Sequence, residues 1–471
     1  MFRSSIVTVT VVALTLAGCA TNEAYVRPEI PVPKEWTGIS SNKSTPAYQI
    51  DWRKFFPDQQ LQNLVSLALE NNRDLRMALA RVSEARAQYG IARADRLPSV
   101  GLNASASSIT LPADLSGTGS ATTTERFDLS VASLAYEIDF WGRVANLNEA
   151  ARLNLLATEE ARRTVQLSLV AEVASSYFGV LQAYEQVQAS GAVLDSRKQS
   201  LEIVQRGKDI GGAFDLELQN NTNQMEAARI ALDSARHQMN AATNRLNFLL
   251  GVPTSPVISP VSLEKQGLDE GVPDGLSSDV LLQRPDVMGA ENRLRAAHAN
   301  VAAARAAFLP KVVLTTSLGV ASQGLAGLFS SGGAWSFLPS LTMPLFDGGR
   351  TTSGVDLAQA RQVVAVADYE RTIQAAFREV ADLLSSRATL SRQFRAVENQ
   401  VRSQEQLLQM SRARYGAGLV GYMDVLETER ELVAAQQYRS QIRRAQLDVA
   451  AQLFKALGGG VELTDGDSSK L

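Results

Sequence analysis

Cysteine occurs once and histidine twice in 471 residues. A disulfide framework needs paired cysteines, and a transition-metal site needs several Cys or His ligands, so neither is expected. Excess charge of one sign is lacking too. The 46 Lys and Arg against 49 Asp and Glu leave a net charge of −3, which gives no electrostatic footprint for nucleic acid. Past the N-terminus no stretch approaches eighteen consecutive apolar residues, so no transmembrane helix is expected in the mature chain. There is no P-loop and no HExxH, and His237 and His298 stand alone in helical runs. The GxGxxG in "YGAGLVG" (415–421) follows a long helical run rather than a strand, so it reads as a helix break and not as a dinucleotide site. The acidic "ELTDGDSS" (462–469) lacks the length of a calcium loop. Nothing supports catalysis, a cofactor or a bound metal.

The single cysteine is informative by its place. In "MFRSSIVTVTVVALTLAGCA", Arg3 supplies a positive n-region, and Ile6 to Ala17 an apolar h-region too short to span a bilayer. Residues 1–18 read as a signal peptide. "LAGC" (16–19) resembles the bacterial lipobox, in which Cys19 is lipidated and becomes the first mature residue. Several acyl chains on Cys19 would anchor a soluble N-terminus stably. Ala20, rather than Asp, follows it; in the lipoproteins this resembles, that favours sorting to the outer membrane.

Proline and glycine punctuate what remains. Residues 19–56 form a Pro/Ser/Thr-rich leader with no core of its own. Helical periodicity begins at 57, with Leu61, Leu64, Val65, Ala68 and Leu69 on one face, and continues from Asp74 to Ala94. At Leu97-Pro98 the period becomes two. A strand at about 99–110 alternates Val100, Leu102, Ala104 and Ala106 with polar residues. A second, at about 126–140, changes parity near Ala132-Ser133, which predicts a bulge or bend. Helices follow over about 143–250, and a Pro-rich linker spans 252–275.

The plan then repeats. "AAARAAFLPKVVLTTSLG" (302–319) aligns its Leu309-Pro310 with Leu97-Pro98. Strands at about 311–321 and 334–346 follow, then helices over about 351–457 and a tail at 459–471. The chain therefore reads as two repeats, 57–251 and 276–458, each giving helix, strand, strand and long helix pair. Ala360, Val363, Ala367, Ile373, Phe377, Val380 and Leu384 largely follow coiled-coil spacing. Within each repeat the long helical stretch is expected to fold as an antiparallel pair, turning near 186–192 and near 385–391.

Four strands of this length suit a transmembrane β-barrel, whose strands need about 9–11 residues. Four cannot close a pore, and open edges are not tolerated in lipid, so the chain must supply only part of a barrel. Three copies would give twelve strands, although the pattern alone does not choose three over two or four. The alternative is a lipid-anchored periplasmic coiled-coil scaffold without a pore.

Several segments, in order, resemble the TolC-like outer-membrane efflux channels, most closely the lipid-anchored multidrug branch (OprM/NodT type). They are "GCATNEAYVRPEIPVPKEW", "LAYEIDFWGR", "LLQRPDV", "ENRLRAAHANVAAARAAFLP", "MPLFDGGR" and "YGAGLVGYMDVLETER". The resemblance implies a mainly α protein with a β-barrel part. In it a homotrimer forms a twelve-stranded barrel continued by an α-helical periplasmic tunnel. It also implies docking to a periplasmic adaptor and an inner-membrane pump, with outer-membrane lipid around the barrel. "AAFREVADLLSSRATL" (375–390) resembles the closed aperture of such channels. Asp382 then becomes a candidate periplasmic gate, one carboxylate per copy ringing the axis, with Arg378 or Arg387 as partners. Pro98 and Pro310 become the helix-to-strand transitions.

Overall fold

The stretches free of glycine and proline form helices far longer than the usual few turns. A computed structural model describes residues 24–33, 36, 51–117, 119–210, 215–253, 258, 261–267, 278–330 and 333–459. In order, α1 (Trp52–Phe55), α2 (Gln59–Asn71) and α3 (Arg73–Ala94) precede strands β1 (Gly101–Leu111) and β2 (Thr122–Ile138). Helices α4 (Arg143–Asp209) and α5 (Asp215–Leu250) follow. Then come α6 (Pro285–Ala306), β3 (Lys311–Ser322), β4 (Gly333–Thr342), α7 (Arg350–Gly416) and α8 (Tyr422–Ala456). Cys19, the linker apart from 252, 253, 258 and 261–267, and the tail beyond Gly459 lie outside the described residues.

Two compact units divide the chain, and they cut across the repeats. One takes Arg81–Glu159, Gly289–Glu370 and the leader at 24–29. The other takes Ile30–Ala80, Glu160–Met288 and the rest from Arg371. Each is thus built from matching parts of both halves.

The first unit holds a four-stranded antiparallel sheet in the order β1-β2-β3-β4. One face is apolar. Leu102, Val131, Leu318 and Trp335 lie side by side across all four strands. The register shifts between Ser133 and Tyr136, where Ala135 takes φ 54°. This bulge lies beside the expected site. It inserts one residue, so Tyr136 and Ile138 return to the apolar face after Phe127, Leu129 and Val131. Gly319 pairs with Ser130, and a Cβ there would sit 2.1 Å from the carbonyl oxygen of Leu129; only glycine fits. Beneath the sheet, Ala150, Leu153, Ala296 and Ala299 form a small-residue core between α4 and α6.

The second unit has a larger core. Trp52, Phe55 and Phe56 are buried, and Phe55 and Phe56 pack against Phe454 with ring centroids 4.9 and 5.8 Å away. The end of the stretch read as a leader therefore belongs to this core, because Phe55 and Phe56 find a partner on α8. Asp58 caps α2, accepting from the backbone N–H of Gln60 and Leu61, and also accepts from the Tyr177 hydroxyl (2.9 Å) and Gln266 (2.7 Å). Burial and the adjacent Asp58 push the Tyr177 hydroxyl pKa up, so it stays a neutral donor.

Neither expected mid-helix turn exists. α4 runs unbroken through 186–192, and α7 runs unbroken through 385–391. The reason is local. Gly191 alone costs a helix only about 1 kcal/mol, and Ser and Thr inside helices satisfy their hydroxyls on the carbonyl four residues back, as Ser200 does on Ser196 (2.9 Å). The breaks fall where glycines cluster. α4 ends at Asp209 and α5 starts at Asp215. α7 ends at Gly416, and Gly418 (φ 72°) closes the turn while Leu419 N–H bonds the Arg414 carbonyl at 2.9 Å. The GxGxxG is this helix-to-helix turn.

One helix, α4, contains a window long and apolar enough to cross a membrane by composition, but 67% of that window is buried inside the protein. It is core. The coiled-coil stripe of α7 is buried only partway: Tyr369, Ile373, Ala376 and Val380 are covered, while Val363 is 68% exposed.

Candidate functional site

The sheet presents two chemically different faces, and a single chain covers neither. Strand β1 is exposed along its whole length. Leu102, Val131, Leu318 and Trp335, the row that crosses the sheet, are 51–76% exposed. The opposite face carries Asn103, Ser105, Asp128, Ser130, Ser317, Ser336 and Ser340, by register. Ser317 and Ser336 share a hydrogen bond across the strands (2.7 Å), and Arg126 grips Asp128 at 2.7–2.9 Å. Among the described residues, β1 and β4 each leave one edge unpaired. An apolar face, a polar face and two open edges describe a segment of wall between lipid and water, to be continued at both edges by further strands.

The ends of the strands are fixed to the helices that follow. Pro98 lies between α3 and β1, and Pro310 directly precedes β3. The Trp141 indole donates to the Pro310 carbonyl (2.8 Å), and the Tyr136 hydroxyl to the Arg96 carbonyl (3.3 Å). Glu137 receives Arg143 through two bonds (2.8 and 2.6 Å) and Lys311 at 2.9 Å. One carboxylate at the end of β2 thereby ties the start of α4 to the start of β3. The sequence reading missed this group. Its signal was the acidic Glu137 between the apolar Tyr136 and Ile138, six residues before Arg143.

The residues proposed for a gate all lie on α7. Asp382 and Arg378 are exposed on α7, and Arg387 is half-buried there. No ion pair joins Asp382 to Arg378 within the chain, although they stand one helical turn apart. With no turn at 385–391, the helix continues from Asp382 to Gly416, about 50 Å at ~1.5 Å per residue. Asp382 is therefore far from the end of its helix, because the glycine-free run gives the chain nowhere to turn earlier.

The second unit holds a buried ionic knot. Arg284, 6% exposed, bonds Asp286, Glu379 (2.8 Å) and the Ala456 carbonyl (2.7 Å), tying the start of α6 to α7 and to the end of α8. "QRPDV" thus has a structural role. Among the described residues no cluster of His, Cys, Asp and Glu is placed to hold a metal ion.

The comparisons with known proteins bear on this wall. Residues 64–252 and 276–459 both match the family described as outer membrane efflux protein. The chain is 41% identical over 460 residues to the cation efflux system protein CusC of Escherichia coli O157:H7, covering 95% of this chain and 97% of that protein. It is 40% identical to the probable outer membrane lipoprotein SilC of Salmonella typhimurium, covering 98% of this chain and 99% of that one. The open state of the MtrE outer membrane channel of Neisseria gonorrhoeae superposes with a TM-score of 0.86 at 34% identity, over 94% of this chain and 98% of that one.

Proposed function

Because the chain belongs to the outer membrane efflux protein family and is an outer-membrane efflux channel of TolC-like fold, we propose that three copies close one continuous duct. Each copy contributes four strands to a twelve-stranded barrel and its long helices to a tunnel below it. The carrying observation is the four-stranded sheet with an apolar face, a polar face and two unpaired edges. Such a sheet is stable in lipid only when its edges are paired, and twelve is an even count of the kind bacterial barrels use. The exposed upper part of the α7 stripe, with Val363, offers each helix a seam for a neighbouring copy.

In this reading the duct is passive. A periplasmic adaptor and an inner-membrane pump deliver the cargo, and the channel carries it across the outer membrane. The name of CusC makes cations the first cargo class to test, before drugs and other small toxic compounds. Lipid on Cys19 anchors the leader, which the lipoprotein naming of SilC supports. The closing constriction belongs at the helix ends, near the turn at Gly418. Asp382, with Arg378 and Arg387, remains a proposal for a charged ring partway along the wall. Three like carboxylates on the axis would favour cations.

Planar-bilayer recording tests this reading. The purified protein should conduct ions, and Asp382→Ala should change its cation selectivity. A preparation that never conducts sinks the channel assembly; unchanged selectivity in Asp382→Ala sinks the ring.

A further inference from the structure

The helices beneath the sheet have two sides, and the sides differ in chemistry. On α6, Glu291, Arg295 and His298 stand on one side, where Arg27 bonds Glu291 (2.8 Å) and Tyr25 meets His298 edge-on. Arg293, Asn300 and Ala304 stand about half a turn round from them, at ~100° per residue. On that second side α4, α6 and α7 enclose a cavity of about 520 Å³. It opens on the side of the polar face of the sheet. Lys311 lies six positions before Ser317 on β3 and so shares its face. Lys311 and Arg143 both bond Glu137, and Arg143 lines the cavity. All of these residues belong to the first unit.

The lining is rich in donors and holds no carboxylate. Arg143, Arg293 and Arg361 face the cavity beside Leu147, Leu357 and Asn300. A guanidinium carries several N–H donors and accepts nothing. Glu137 occupies Nε and Nη2 of Arg143, which leaves Nη1 for another acceptor. Arg293 meets Asp368 through Nη2 alone, at 3.5 Å, and its side chain is 49% exposed. Arg361 is exposed and makes no ion pair among the described residues. Leu147 and Leu357 are exposed too, so apolar surface lies beside these donors. The first repeat is different. With Leu97-Pro98 set on Leu309-Pro310, Arg293 falls on Arg81, but Ala296 and Ala307 of the cavity fall on Glu84 and Asp95. The second repeat has alanine at both places where the first has an acid.

We propose that this cavity binds organic anions, compounds that carry a carboxylate, sulfonate or phosphate on an apolar body. The guanidiniums supply charge-assisted bonds to the anionic oxygens, and the leucines and alanines take the apolar part. The volume lies within the ~300–1,000 Å³ usual for small-molecule sites. Three arginines with no acid among them repel a cation, so the cavity discriminates by charge. Every lining residue belongs to one chain, so binding needs no neighbouring copy. The consequence for transport rests on the duct proposed above. There the polar face looks into the lumen, and the cavity holds anionic cargo at the head of the tunnel, where helices meet strands.

Isothermal titration of the full-length protein in detergent micelles tests the site, with the micelle alone as the blank. The probes are 2-naphthoate and 2-naphthylmethylammonium, which share a ring system and differ in charge. Naphthoate should bind saturably, one per chain, and the ammonium should not. Arg361→Gln should weaken naphthoate by about tenfold, as the loss of one charge-assisted bond implies. The double variant Arg293→Gln with Arg361→Gln should lose saturable binding while its melting midpoint stays at the wild-type value. An unchanged midpoint separates a lost site from a lost fold. Equal binding of the two probes, or naphthoate binding unchanged in the double variant, overturns the site. Planar-bilayer recording then separates the site from the duct. A channel that conducts but is not blocked by naphthoate overturns the luminal placement and leaves the duct standing. A preparation that binds naphthoate and never conducts sinks the duct and leaves the cavity as an anion site.

Discussion

The Trp141 indole nitrogen donates to the Pro310 carbonyl oxygen at 2.8 Å. Trp141 belongs to the turn leaving the first hairpin, and Pro310 opens the second. One hydrogen bond thus joins the two halves of the duplicated chain where helices give way to strands. Trp141→Phe keeps the ring and removes the donor, which costs about 1 kcal/mol. The temperature at which the folded form is lost on gels should fall by a few degrees, and single-channel conductance should stay the same. An altered conductance would show that the bond shapes the pore as well as the junction.

Gly319 faces the Leu129 carbonyl too closely for any side chain. Gly319→Val should prevent β2 and β3 from pairing in register, with overpacking costs of about 1–3 kcal/mol or more. The folded, heat-modifiable form should be lost, and Gly319→Ala should fall between the two. Normal assembly of the valine variant would show that the strands have room to separate.

Arg284 holds Asp286, Glu379 and the Ala456 carbonyl from a position 6% exposed. Removing it leaves two half-buried carboxylates and the Ala456 carbonyl without their donor, at about 1–3 kcal/mol. Arg284→Met should lower the midpoint of thermal loss of helical signal in detergent by several degrees. Arg284→Lys should restore little, because one ammonium cannot fork to three acceptors. Lys455, 3.3 Å from Glu379, gives partial cover, so the loss should deepen in the double variant with Lys455→Ala.

Asp448 is largely buried, and burial raises its pKa above the ordinary 3.8 despite Arg444 at 3.5 Å. A carboxyl with a raised folded pKa favours the fold below its unfolded value. That contribution is lost as pH rises through the folded pKa. Asp448→Asn should therefore be more stable than the wild type at neutral pH, and the gain should vanish as pH falls toward 3.8. Melting curves of both proteins across pH check the sign. A variant less stable at neutral pH would mean that the Arg444 pair outweighs burial.

Strands, bulge and junctions were legible in the sequence because each has a local cause. Alternation in Leu102, Ala104 and Ala106 sets one face, the parity change after Val131 sets the bulge, and Pro310 sets a boundary. The long helices were legible as helices but not in their lengths. Gly191 and "SSRATLS" look like breaks, yet an α-helix absorbs one glycine and several hydroxyls, and only clustered glycines end it. That misplaced turn put Asp382 beside a helix end, whereas α7 continues past it to Gly416. The contact of Arg27 with Glu291, the bond of Arg284 to Glu379 and the aromatic contact of Phe55 with Phe454 join residues far apart in the chain. Such pairings are set by packing and leave no local pattern.

The central claim is that three copies of this sheet close one barrel. Imaging the protein in lipid nanodiscs, viewed along the membrane normal, tests it most directly. The account predicts threefold symmetry, twelve strands and an open lumen continuous with a helical tube. A single copy with its sheet edges uncovered, or a ring of two or four copies, would contradict it.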